Sequence, residues 1–276
     1  MAEPGSPKRP ERVKPSEEQK KIIEYFLHFG LRLRKQLKIL QDPRLGVGGI
    51  EAKKEGWFIN KHSALESVLV MKIAELMQLG PNERNILLEA AMTHHAYKRI
   101  QYRRKDPWSQ ESYTQSQREG EGILRDFGVS EDTITVNKIT DAVYFKEIAG
   151  GAIDIKSEDI VRFLQRILAF THNSIDTRIS RSDEAPKAVN HIIFWKDHLN
   201  EVRQRNVDIA GEVVTYKGAE QSYYDVEEGI TAEIEEELKK KILEKNHEVH
   251  FDNTPLALQL RKLIMDDIGN DVLPKI

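Results

Sequence analysis

The sequence predicts an all-α protein. Apolar residues recur at helical spacing through most of the 276-residue chain. Glycine, proline and capping residues punctuate those stripes. A single stretch, 207–225, carries β-formers, in the form of a small hairpin centred on Lys217-Gly218.

Residues 1–15 hold Pro4, Pro7, Pro10 and Pro15 among polar and basic side chains. Such a stretch lacks apolar surface to bury and reads as a disordered tail. Ser16 and Gln19 form a capping-box pattern. The stripe Ile22, Ile23, Phe26, Leu27, Leu31, Leu33, Leu37, Leu40 then predicts one helix to about Gln41. Residues 42–60, with Pro43 and Gly46, Gly48, Gly49 and Gly56, read as a loop. Leu65, Leu69, Ile73 and Leu76 mark the next helix, with Gly80 as its C′ residue. Pro81 opens a helix through Leu87, Leu88, Ala91 and Met92 to about Lys98. Residues 101–112 read as a loop.

Thr114 to Phe127 is predicted helical, with Gly128 as its stop, and Ser130 to Lys146 follows as one further helix. Gly150-Gly151 breaks the chain. Ser157 is the expected cap of a helix striped by Ile160, Leu164, Ile167, Leu168, Ile175 and Ile179. More helices are expected at 186–205, 230–245 and 254–267. The division is a tail at 1–15, a helical domain at 16–205 and a C-terminal helical extension at 206–276.

Composition narrows the function. There is no cysteine, which removes disulfides, thiolate nucleophiles and Cys-ligated metal sites. The net charge of −3 gives no strong nucleic-acid signal. No apolar run reaches membrane-spanning length, and the N-terminus lacks a signal-peptide core. The expected compartment is the cytoplasm, with no membrane partner.

Four of the nine histidines sit on or continue the apolar stripes. His62 precedes Leu65 and Leu69. His94 and His95 continue Leu87, Leu88 and Ala91. His172 continues Leu164 and Leu168. Inward imidazoles need polar partners, and a divalent ion supplies one for all of them. Two readings stay open on spacing alone: a metal site, or hydrogen-bonded core histidines. Adjacent His94 and His95 chelate poorly within a regular helix and work together only where the helix ends or where the metal sits above both. Nitrogen ligands favour zinc or another late transition metal over magnesium. Lys98, Arg99, Arg103, Arg104 and Lys105 follow directly as a basic run.

The stretch KHSALESVLVMKIAELMQLGPNERNILLEAAMTHHAYKR, with GEGILRDFG and ILAFTHNSIDTRIS after it, resembles the HD-domain metal-dependent phosphohydrolases. The resemblance covers roughly 58–180. It implies an HD-type helical bundle. It matches His62 to the family's first histidine, His94 to the histidine of the His-Asp pair, and Lys98 to the lysine that follows. His95 and His172 stand where the family carries aspartates, and Ser116 where many members carry another histidine. The resemblance implies a metal held by His62, His94, His95 and His172, with His94 and Lys98 as catalytic residues. Lys98, Arg99 and Arg103 would hold a small phosphorylated substrate, with a nucleotide among the candidates. The two lost aspartates leave a rival expectation: a catalytically inactive HD-like binding module whose metal is structural or absent.

Overall fold

The structure is a computed structural model, and it describes residues 17–40, 42, 44–45, 61–106, 109–139, 142–175 and 213–268. The chain is mostly helical, as the stripes predict. The helices are α1 (Glu17–His28), α2 (Arg34–Leu40), α3 (Lys61–Leu76), α4 (Pro81–Thr93), α5 (Lys98–Tyr102), α6 (Gln110–Asp126), α7 (Glu131–Asn137), α8 (Ala142–Ala149) and α9 (Ile160–Ser174). Two short strands, β1 (Val213–Tyr216) and β2 (Ala219–Ser222), lead into α10 (Tyr223–Lys245) and α11 (Leu256–Ile268). The 1–15 tail and the 186–205 helix lie outside the described residues.

Helix α3 is the centre of the fold. Every residue from Ser63 to Ala74 is buried, because α1, α4, α9, α10 and α11 all pack against it. A helix buried on all sides has no solvent face to present, so its polar members, Glu66 and Lys72 among them, meet partners inside. The core runs without a break from Phe26 and Ile39 through Leu69, Leu88 and Leu168 to Ile234, Leu238 and Leu260. The C-terminal helices therefore share one core with the rest of the described chain.

Several boundaries differ from the periodicity. The stripe across 16–41 belongs to two helices, not one. Gly30 adopts φ +73°, a left-handed conformation that terminates α1. Both helices face the same core, so the apolar spacing continues through the break. The 130–146 segment likewise divides at Lys138, the C-cap of α7. Gln78, at φ 54°, ends the α3 turn, while Gly80 is the N-cap of α4 with Pro81 behind it. Asp159, not Ser157, caps α9: its side chain accepts from the Arg162 N–H at 3.0 Å. Ser157 Oγ instead accepts from the Asp159 N–H.

The hairpin forms as expected. β1 and β2 pair antiparallel, Val213 opposite Ser222 and Tyr216 opposite Ala219. Lys217 and Gly218 both have positive φ, the geometry that suits a two-residue hairpin turn.

Polar groups tie the layers together. Buried Arg166 on α9 donates to the Ile155 and Ser157 carbonyls and to Glu237 on α10. Lys72 on α3 donates to Asp267 on α11 at 2.5 Å and to Glu75 at 2.8 Å. Burial works against the Lys72 charge, but the two carboxylates outweigh it and raise its pKa. Burial also holds the Tyr25 and Tyr144 hydroxyls well above the usual tyrosine range. The signs agree. The stability that Lys72 contributes is complete below the unfolded pKa of about 10.4 and declines above it. The tyrosines ionise only after unfolding, which also favours the unfolded chain above about pH 10. Thermal melts from pH 8 to 11 should show the midpoint falling beyond about pH 10. Lys72→Met with Tyr25→Phe should flatten that fall.

Candidate metal centre

Helix α4 ends where the site begins. Its last residue is Thr93, and His94 is the C-cap, with its N–H still bonded to the Ala90 carbonyl at 2.9 Å. The chain then tightens: Ala96 N–H reaches the Thr93 carbonyl at 2.8 Å, and Lys98 N–H reaches the His95 carbonyl at 3.0 Å. In a continuing helix the two side chains would splay about 100° apart. Here the His94 and His95 rings lie 3.8 Å apart between centroids.

His172, near the end of α9, completes a triangle. Its ring centroid lies 5.1 Å from that of His94 and 5.3 Å from that of His95. One ligand nitrogen from each of the three lies within 4.8 Å of the others. His94 and His95 are buried, while His172 keeps 17% of its side chain open. The neighbouring Asn173 turns the other way, donating to Thr231 on α10 at 2.8 Å. His172, and not Asn173, is therefore the residue of this pair that faces the other two histidines.

The structure adds a residue that the stripes did not single out. Glu66 of α3 is fully buried, with Oε2 at 2.9 Å from His94 Nε2 and 3.7 Å from His172 Nδ1. His94 Nδ1 lies 2.8 Å from the Ala91 carbonyl. A carbonyl can only accept, so Nδ1 carries the hydrogen and a neutral His94 presents a lone pair at Nε2. That lone pair faces a carboxylate oxygen. Two acceptors at 2.9 Å in a dry interior require a positive centre, a proton or a metal ion, at their contact. A signal was present in the sequence: Glu66 lies three residues before Leu69 and seven before Ile73, on the same inward stripe.

The donor set fits a late transition metal. A zinc tetrahedron with bonds of about 2.0–2.1 Å has ligand–ligand edges of roughly 3.3–3.4 Å. The 2.9 and 3.7 Å separations around Glu66 Oε2 bracket that edge. The three nitrogens are spread more widely, within 4.8 Å of one another.

The other expected site residues distribute unevenly. His62 lies on α3 one turn before Glu66, but its side chain is outside the described residues. Lys98 Nζ approaches His95 Nε2 at 3.3 Å, which places this cation at the edge of the cluster. The Arg99 side chain is outside the described residues, and Arg103 is exposed. Arg104 is committed to α6, donating to Ser116 Oγ and Gln115 at 2.8 Å and to Glu119 at 2.6 Å. Ser116 is thus a buried acceptor for that arginine. Among the described residues, the cavity beside His94, lined by Thr93, Tyr97, Gln117, Glu121 and Asn137, measures about 20 Å³. No described helix is long and apolar enough to cross a membrane. Comparison with family models, with curated proteins and with solved structures gives no match for this chain.

Proposed function

We propose that the chain binds one late-transition-metal ion through His94, His95 and His172 with Glu66, and that this centre hydrolyses phosphate esters of small substrates such as nucleotides. The observation that carries the metal is the convergence of His94, His95 and His172, with one ligand atom of each within 4.8 Å of the others, beside the buried Glu66 carboxylate, whose 2.9 Å contact with His94 Nε2 takes either a proton or an ion. The hydrolytic part rests on the HD-type resemblance and on Lys98 beside the cluster.

When bound, a divalent ion supplies Lewis acidity and an activated water. The chain's own groups do the rest. The Ala91 carbonyl fixes the His94 ring and its tautomer, so that Nε2 faces inward. Glu66 offsets part of the ion's charge, a task that the family gives to the aspartates replaced here by His95 and His172. Lys98 offers an ammonium group for a phosphoryl oxygen. His172, the partly exposed member of the cluster, marks the described side on which a substrate could approach.

One observation favours a second reading, in which the metal is structural and the chain is a binding module. The 20 Å³ cavity at His94 takes about one water, whereas ligand pockets run to roughly 300–1,000 Å³. A phosphomonoesterase and phosphodiesterase screen of the zinc-, cobalt- and manganese-loaded chain separates the two. Turnover that falls about 100-fold in Lys98→Gln with zinc content unchanged supports the hydrolase. Full zinc occupancy with no turnover on any ester supports the module.

A further inference from the structure

A groove lies away from the histidines, between the α1–α2 connection, α2 and the end of α6. Its lining is Arg32, Arg34, Lys35, Lys38, Asp126 and Phe127, and its open volume is about 640 Å³. The alternation LRLRKQLK explains how it forms. Leu31, Leu33, Gln36 and Ile39 turn into the core, which leaves Arg32, Arg34 and Lys38 exposed on one side. Lys35 is spent on the fold: it donates to the Gly128 carbonyl at 2.7 Å and pairs with buried Glu89 at 3.0 Å. The other three cations have no hydrogen bond or ion pair among the described residues. Phe127, the C-cap of α6, is half-buried in the groove wall and presents part of its ring.

Three unpaired cations around one cleft concentrate positive potential on a chain whose net charge is −3. The groove is short, and the overall negative charge opposes a long polyanion. The ring beside the cations offers a stacking surface for a planar base. We propose that this groove binds a nucleoside polyphosphate, with Arg32, Arg34 and Lys38 on the phosphates and Phe127 against the base. The site shares no residue with the histidine cluster and does not depend on the metal.

The test titrates a fluorescent nucleoside triphosphate into the full chain with chelator present, so that no metal site contributes. Saturable binding is expected, weakening as salt rises. The triple variant Arg32→Gln, Arg34→Gln, Lys38→Gln should lose at least about tenfold in affinity, since three charge-assisted contacts disappear. These side chains are exposed, so the fold should survive. His94→Ala should bind as the wild type does. Phe127→Leu should weaken the nucleotide severalfold and leave inorganic tripolyphosphate unchanged. Wild-type-like binding by the triple variant would overturn the proposal, as would tighter binding of a single-stranded oligonucleotide than of the triphosphate. Absence of saturable binding at millimolar nucleotide would also overturn it.

Discussion

Replacing His94 with alanine should lower zinc affinity by more than about 100-fold, since even an outer partner of a metal ligand contributes 10–100-fold. His94 is the pivot of the cluster. It sits 2.9 Å from Glu66, its ring is 3.8 Å from that of His95, and its orientation is fixed by the Ala91 carbonyl. Competition against a chromophoric chelator measures the loss. Glu66→Gln is the instructive companion. Its amide can donate to His94 Nε2, which relieves the acceptor–acceptor contact without metal. The metal-free variant should therefore melt at or above the wild-type temperature, while its zinc affinity falls. If Glu66→Gln lowered stability and left zinc affinity unchanged, the contact would hold a proton rather than an ion. Zinc binding should also weaken below about pH 6, where protons compete for imidazole nitrogen.

The double change His95→Asp and His172→Asp should shift the site from zinc toward manganese and magnesium by tenfold or more, since it replaces nitrogen ligands with hard oxygen. It also places carboxylates at the two positions where the HD-type resemblance implies them. His172 Nδ1 is already 3.7 Å from Glu66, so an aspartate there places a second carboxylate beside a fully buried one. Without metal, like charges repel in a low dielectric, and the melting temperature should drop. Added manganese should recover it. Phosphoesterase activity that rises with manganese in the variant would mean that the native chain has lost this chemistry. Activity in the native chain with zinc, abolished by the double change, would mean that the histidines are working ligands.

Much of this arrangement was legible in the sequence because it depends on local periodicity. The stripes through Leu65–Leu76, Leu87–Met92 and Ile160–Leu168 located the three helices that hold the site. Adjacent His94 and His95 lie at a helix end, with α4 stopping at Thr93. What periodicity could not give was conformation at single residues. The left turn at Gly30 hides inside an unbroken apolar stripe, because α1 and α2 bury their faces against one core. Glu66 was missed for a related reason. It lies in a helix buried on every side, where a carboxylate looks like a surface residue until the packing against α4 and α9 is known. The free cations of α2 escaped notice in the same way. Pairing decides their role, and Lys35 differs from Lys38 only in what folds over it.

Metal analysis of the purified chain, reconstituted with zinc in the presence of excess magnesium and then dialysed, tests the central claim most directly. One zinc per chain and no retained magnesium is the expected result, with the zinc lost in His94→Ala. A wild-type chain that retains no zinc, or a His94→Ala chain that retains as much as the wild type, would contradict it.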